Sequence, residues 1–306
     1  MDNLTDKTIW VTGGRGFLGT HLCEALWKQN AELIVTDSTS CDLRYRKNID
    51  DLFSKNKIDI VVHLAADVGG IGYNRNHAYN LFYNNAMMGI NLIDASIKFE
   101  IEKFVQIGTV CAYPKFCSPP FNELALWDGY PEETNAPYGL AKRMLLVQLQ
   151  AARSEYNFNG IYLLPTNLYG PHDCFDYEKS HVIPALIRKF VESKDEVKIW
   201  GTGKASRDFL YVEDVVKAII LAIKNYNRKE PLNLGSGVEV RISTLVHIIQ
   251  NILDYKGKII WETSKPDGQP RRKLNINEAK HSLGWKPETT LTDGLEKTIL
   301  WYKKQN

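Results

Sequence analysis

Lys7-Thr-Ile-Trp-Val-Thr12 runs directly into Gly13-Gly14-Arg15-Gly16-Phe17-Leu18-Gly19, and His21-Leu22-Cys23-Glu24-Ala25-Leu26-Trp27 follows. The first segment is short, apolar and β-branched and the last has helical spacing, so the order is strand, glycine turn, helix. That context makes a glycine motif credible as a dinucleotide site. Gly13 suits the tight turn, Gly16 lets a pyrophosphate approach the backbone, and Gly19 permits close helix–strand contact. The phosphate charge then meets the helix N-terminus, where Phe17 and Leu18 stand. A tight turn that holds no ligand is the plainer alternative.

A second strand, Glu32-Leu-Ile-Val-Thr36, ends at Asp37. An acid about twenty residues past the glycines commonly bonds the ribose hydroxyls of NAD and repels the extra phosphate of NADP. Arg15, inside the glycine loop, points the other way, because a guanidinium pairs with a 2′-phosphate. NADP and NAD both stay open on these residues. Asp42 and Leu43 follow at the distance where dinucleotide-binding chains contact adenine. Ile58-Asp-Ile-Val-Val-His-Leu-Ala-Ala66 reads as a buried parallel strand, with Leu64, Ala65 and Ala66 at its end leaving room for a cofactor. Further strands at Lys103–Gly108 and Ile161–Pro165 alternate with helical patterns. The expected class is α/β, a Rossmann doubly wound parallel sheet.

After Pro165 the pattern changes. Residues 167–175 are turn-rich, His181–Glu192 is helical, and Lys198–Asp214 reads as strand, glycine turn, strand. Val212–Asn225 returns to helix and Leu232–Gly235 to strand. The tail, with Lys265-Pro-Asp-Gly-Gln-Pro-Arg271-Arg272-Lys273, reads as basic and loop-like. The expected division is a dinucleotide-binding domain over 1–166, rejoined by 211–234, and a smaller substrate domain from 167–210 and 235–306. Two long helices, Asn80–Phe99 and Pro137–Tyr156, carry Met87, Ile90, Ile93, Met144, Leu145, Val147 and Leu149. These serve either the core or a homodimer that pairs both helices from each subunit.

The 306 residues are enough for a large core, with net charge +2 and 44% hydrophobic residues. No basic block suggests nucleic acid. The start Met-Asp-Asn-Leu-Thr-Asp-Lys lacks the regions of a signal peptide, and no apolar run approaches the roughly 20 residues of a membrane span. Cys23, Cys41, Cys111, Cys117 and Cys174 are scattered without metal-ligand spacing. A cytoplasmic protein with reduced thiols, no metal, and no membrane or nucleic-acid partner is expected.

Tyr138-Gly-Leu-Ala-Lys142 places a phenol and an ammonium on one helix face. A neighbouring cation stabilises phenolate and makes the phenol a better proton donor. A solvated lysine beside a packed tyrosine is the bland alternative. Thr109, Cys111 and His181 add a hydroxyl, a thiol and an imidazole, a second set of acid/base groups. A buried small hydrophobe is the usual fate of a free cysteine.

The phrases Thr109-Val-Cys-Ala-Tyr-Pro-Lys-Phe116, Pro165-Thr-Asn-Leu-Tyr-Gly-Pro-His-Asp173, Ser180-His-Val-Ile-Pro-Ala-Leu-Ile-Arg188 and Lys265–Arg271 resemble the GDP-L-fucose synthase family. This is a branch of the extended short-chain dehydrogenase/reductases, whose glycine spacing G-x-x-G-x-x-G matches as well. The resemblance runs from about residue 7 to residue 303. It implies NAD(P)H-dependent 3,5-epimerisation and 4-reduction of a GDP-4-keto-6-deoxy-sugar. Tyr138 would protonate the C4 oxygen, Lys142 would bond the nicotinamide ribose and depress the Tyr138 pKa, and Thr109 would hold the keto oxygen. Cys111 and His181 would be the base and acid that invert C3 and C5. The implied cofactor contacts extend to Pro165, Asn167, Leu168 and His181. Lys189, Trp200, Arg207 and Arg272 would face the GDP-sugar, with Lys189 replacing the family's usual Arg. Thr109 stands in place of Ser, Cys174 in place of Asn, Asp37 where a basic residue often selects NADPH, and Val110 where a small polar residue is usual. A C4-reductase only, acting on a GDP-4-keto-6-deoxy-heptose or a related nucleotide ketosugar, is the nearest alternative. A hexose 4-epimerase with tightly held NAD and a non-catalytic nucleotide sensor are the others.

Overall fold

The computed structural model describes residues 4–265 and 267–305. Met1, Asp2, Asn3, Pro266 and Asn306, which fall within segments interpreted above, lie outside the described residues. In chain order, strands β1 (Thr8–Thr12), β2 (Glu32–Thr36), β3 (Ile60–His63), β4 (Lys103–Ile107) and β5 (Gly160–Pro165) alternate with helices α1 (Phe17–Trp27), α2 (Arg46–Lys55), α3 (Ile71–Asn76), α4 (Ala78–Lys98) and α5 (Ala136–Tyr156). Then come β6 (Asn167–Tyr169), α6 (Val182–Glu192), β7 (Glu196–Trp200), β8 (Ser206–Arg207), β9 (Phe209–Tyr211), α7 (Val212–Asn225) and β10 (Leu232–Leu234). The chain continues with β11 (Val240–Arg241), α8 (Ile242–Leu253), β12 (Lys258–Glu262), α9 (Asn277–Leu283) and α10 (Leu291–Gln305).

Six strands form one parallel sheet in the order β10-β5-β4-β3-β1-β2. Alternate strand residues feed opposite faces. Ile9, Val11, Ile60, Val62 and Val105 pack with Leu22, Leu26 and the apolar stripe of α7. Trp10, Val61, Phe104 and Tyr162 pack with Leu92, Ile93, Leu145 and Leu149 of α4 and α5. Burial on both faces explains why these strands read as unbroken apolar runs. Leu145 is fully buried, so Leu145→Ala should cost about 2–5 kcal/mol.

The chain runs outward from β1 to β2, then restarts on the other side of β1 with β3. The carboxyl ends of β1 and β3 therefore part into the crevice where such sheets bind ligands. Gly13 leaves β1 at this point and Leu64–Ala66 leave β3.

Outside the main sheet, β6 pairs with β9 and β7 with β12 in parallel, while β8 pairs antiparallel with β11. The stretch 267–273 is loop, as expected, whereas the segments on either side of it form β11, α8 and β12 before it and α9 and α10 after it. Leu245, Val246 and Ile249 of α8 and Leu295, Ile299 and Tyr302 of α10 bury against Ile187, Phe190 and Val197. Their partners lie far away in sequence, so the local pattern alone understated these elements. On the two long helices Ile93, Leu145 and Leu149 are core, whereas Ile90 and Val147 stay exposed, as do Tyr79, Phe82 and Tyr83.

Candidate active site

At the crevice Gly13 has φ +67°, and its amide donates to the Thr36 carbonyl at 2.9 Å. A Cβ on Gly13 would stand 2.9 Å from Ala65 Cα and N, and one on Gly19 would overlap the Gly13 carbonyl. The glycines thus let β1, β3 and α1 converge. Helix α1 begins at Gly16 with no side-chain cap and no acid in its first turn, leaving the first N–H groups, including those of Phe17 and Leu18, for an anion. These residues fit a dinucleotide pyrophosphate.

Arg15 and Asp37 meet here: Arg15 Nη1 donates to Asp37 Oδ2 at 2.8 Å. Asp37 Oδ1 accepts from the Thr39 hydroxyl at 2.7 Å, the Ser40 amide at 2.9 Å, the Ser40 hydroxyl at 3.0 Å and the Thr39 amide at 3.0 Å. Hydrogen bonds from Thr39 first, then Ser40, hold its carboxyl well below the usual range. Asp42 is paired with Arg44 at 2.6 Å, and Leu43 is buried. Thr12 Oγ1 bonds His63 Nδ1 at 2.8 Å and accepts the Ala65 amide at 3.3 Å, which ties the ends of β1 and β3 together.

Thr109 follows β4 and caps a 3₁₀ turn over Val110–Ala112, its hydroxyl accepting the Cys111 amide at 3.1 Å. Helix α5 docks on that turn because Gly139 has no Cβ; a methyl there would strike the Cys111 carbonyl. This contact carries Tyr138 to Cys111 and Thr109. Tyr162 anchors the helix from below, its hydroxyl donating to the Lys142 carbonyl at 2.9 Å. Gly139 and Tyr162 were missed as site residues; Gly139 lies inside the quoted Tyr-Gly-Leu-Ala-Lys run, whereas Tyr162 left no signal beyond a strand aromatic.

Tyr138 and Lys142 share one buried face of α5, as their spacing requires. The expectation that Lys142 depresses the Tyr138 pKa is overturned for the free protein. Burial pushes the phenol up, nearby Cys111 adds to this, and a hydrogen bond with Thr109 opposes it. Burial also brings the Lys142 ammonium down to about 7. Desolvation, which sequence spacing does not report, is the largest influence on both groups.

The other half of the site comes from distant segments. Arg272, buried, donates through Nη1 to Cys111 Sγ at 3.7 Å and Asn167 Oδ1 at 3.3 Å, and through Nε to Gln269 Oε1 at 3.0 Å. Gln269 in turn donates to the Pro114 carbonyl at 3.1 Å and the Lys115 carbonyl at 3.0 Å. Arg207 donates to the carbonyls of Gln269 at 2.6 Å, Ser206 at 2.8 Å and Asp267 at 3.2 Å. Burial, then the charge of Arg272, draws its guanidinium down to about 9. Among the described residues neither guanidinium has a carboxylate partner within 4.0 Å. Two crowded cations without a counterion fit an anionic ligand.

His181 stands at the N-terminal edge of α6. It remains accessible in the cleft, yet surrounding protein and then Arg272 lower its pKa. Asn167, expected to touch the cofactor, bonds Arg272 and donates to the Asp208 carbonyl at 2.8 Å. Pro165 is buried and Leu168 half-buried nearby in the chain. Lys189 is turned to the Lys198 carbonyl at 2.7 Å, and the half-exposed Trp200 has the Lys265 ammonium 5.3 Å from its ring centroid. Arg272 is therefore a neighbour of the thiol, where a substrate-phosphate contact alone had been expected. Gln269 and Asp208 escaped the sequence reading, since a glutamine and an aspartate in loops carry no pattern. No metal-binding cluster of His, Cys, Asp or Glu occurs among the described residues, and no helix among them is long and apolar enough to cross a membrane.

Comparison with known proteins identifies the family and the fold. Residues 9–235 match the NAD dependent epimerase/dehydratase family. The chain is 41% identical over 299 residues to a GDP-L-fucose synthase from Sinorhizobium fredii, covering 96% of this chain and 95% of that one. A GDP-6-OMe-4-keto-L-xylo-heptose reductase from C. jejuni superposes with a TM-score of 0.93 at 28% identity, covering 98% of this chain and 99% of that one. A GDP-L-fucose synthetase from Naegleria fowleri bound to NADP gives a TM-score of 0.90 at 26% identity, covering 100% and 96%. The chain is thus an enzyme of the NAD-dependent epimerase/dehydratase family, of extended short-chain dehydrogenase/reductase fold, and belongs among the GDP-L-fucose synthases and their relatives.

Proposed function

We propose that this enzyme carries out NAD(P)H-dependent 3,5-epimerisation and 4-reduction of a GDP-4-keto-6-deoxy-sugar. The observation that carries the reading is the gathering of Tyr138, Thr109 and Cys111 around the start of α5, with Arg272 on the thiol. Gly13, Arg15, Gly16, Phe17, Leu18, Gly19, Leu64, Ala65 and Ala66 would hold the cofactor, with Tyr138 and Lys142 at its reactive end. NADP bound to the Naegleria relative supports this use. When bound, the reduced nicotinamide supplies hydride.

The chain's own residues would handle the protons. A C4 ketone acidifies C3 and C5, because its oxygen carries the enolate charge. Thr109 and Tyr138 donate to that oxygen, lowering the cost of the charge. Inversion needs a base on one ring face and an acid on the other, so two different side chains are required. Cys111 and His181 fill those roles, and Tyr138 later protonates the C4 oxygen. Arg207 and Arg272 supply charge for the diphosphate. We extend the proposal to a homodimer that covers Tyr79, Phe82, Tyr83, Ile90 and Val147.

The second reading, C4 reduction of a GDP-heptose ketosugar without epimerisation, is favoured by the close superposition on the C. jejuni reductase. Incubation with GDP-4-keto-6-deoxy-mannose and NADPH in heavy water separates the two. Deuterium at C3 and C5 together with C4 reduction supports the two-function enzyme. Reduction without deuterium supports the second reading, and no turnover directs the assay to heptose ketosugars.

A further inference from the structure

The two residues that argued for opposite cofactors are bonded to each other. Asp37 extends from the end of β2, next to Gly13, whose amide bonds the Thr36 carbonyl. Its two oxygens have different duties. Oδ1 takes four hydrogen bonds from Thr39 and Ser40, all within its own turn. Among the described residues Oδ2 takes only Arg15. The carboxylate is therefore held in place by the turn even when Arg15 leaves.

Arg15 is the more exposed member. Its side chain is 67% exposed against 27% for Asp37, and among the described residues its one ion-pair partner is that carboxylate. Exposed pairs of this kind contribute little and open readily. With the pair closed, the charges neutralise each other and neither rejects a nucleotide. With Arg15 swung away, Oδ2 is a pre-positioned acceptor for a ribose hydroxyl. With Arg15 on a phosphate, its fork makes charge-assisted bonds that offset the repulsion from Asp37. At such an exposed position screened repulsion is worth only a few-fold in affinity.

We propose that the Arg15–Asp37 ion pair is a two-way selector, with Asp37 receiving the ribose of NADH and Arg15 receiving the 2′-phosphate of NADPH, so that the enzyme binds both. This rests on the reductase reading above. Asp37 replaces discrimination by rejection with discrimination by exchange of one partner. The surrounding hydroxyls of Thr39 and Ser40 serve to keep the carboxylate still while the guanidinium moves.

The test is equilibrium binding of NADPH and NADH by calorimetry to the full chain, its Arg15→Met and Asp37→Asn variants, and an Arg15→Lys variant, each checked for native circular dichroism. The wild type should bind the two nucleotides within about tenfold of one another. Arg15→Met should weaken NADPH about tenfold or more and leave NADH unchanged or tighter, while Arg15→Lys restores part of the NADPH affinity. Asp37→Asn should tighten NADPH a few-fold and weaken NADH. Discrimination of more than about a hundredfold by the wild type, or an Arg15→Met variant with unaltered NADPH affinity, overturns the selector while leaving the reductase reading intact. Binding of neither nucleotide overturns both.

Discussion

The Tyr138–Lys142 half of the cleft and the Cys111–Arg272 half are assembled in different ways. Tyr138 and Lys142 lie one turn apart on a single helix, so helical geometry alone brings them onto the same face. Cys111, Arg272, Asn167 and Gln269 come from three separate stretches, joined by a web of hydrogen bonds. The first half is dry and its charges are suppressed: the phenol is pushed up and the ammonium down to about 7. The second half keeps its guanidiniums close together with no ion-paired carboxylate among the described residues. The contrast teaches that burial tunes both halves, and that crowding of like cations is added to it only in the second. A ligand therefore changes them in opposite senses, by desolvating the first further and neutralising the second.

The sharpest way to break the comparison is Tyr138→Phe. Loss of the proton donor should lower C4 reduction about a thousandfold, with solvent exchange at the sugar carbons still measurable. A folded variant that loses both would show that the halves do not act separately. Next, Cys111→Ala should slow exchange at C3 and C5 about a hundredfold, read by deuterium incorporation. Undiminished exchange would remove the thiol from the chemistry.

Lys142→Met addresses the dry half through stability. The folded-state pKa of Lys142 lies near 7, below the lysine model value of 10.5. Between those values the unfolded chain holds more protons than the native one, so this residue makes stability rise with pH. Relative to Lys142→Met, the wild type should gain about 2 kcal/mol between about pH 7.5 and about pH 9.5 in urea melts. Parallel profiles for the two proteins would mean that Lys142 is solvated. The smallest effect is expected for Arg272→Gln, which keeps a polar side chain and removes the charge. It should slow exchange about tenfold and reduction by less. Equal losses would make Arg272 a substrate-binding group without a separate influence on Cys111.

Three local patterns were enough to reveal the α/β class and the dinucleotide end: β-branched strands, the Gly13–Gly19 spacing, and the Tyr138–Lys142 turn. Each depends on neighbours in the chain, where covalent geometry restricts the conformations available. The apolar runs at Ile60–His63 and Lys103–Ile107 were legible for the same reason, since burial on both faces leaves no polar interruption. The family phrases around Cys111 and His181 singled out a thiol and an imidazole as candidates without saying what surrounds them.

Tertiary structure alone decided the electrostatics and the partners. The shift of Tyr138 has the opposite sign to the one spacing suggested, because desolvation depends on everything packed around a side chain. Arg15 and Asp37, 22 positions apart, became partners only when β1 and β2 aligned in register. Arg272 reached Cys111 across 161 positions, through a loop and a glutamine that carry no periodic signal. α8 and α10, which the tail did not announce, owe their burial to partners far along the chain. Periodicity and spacing record what a residue does with its own segment; a pKa or an ion pair records which other segments arrive, and that is settled only by packing.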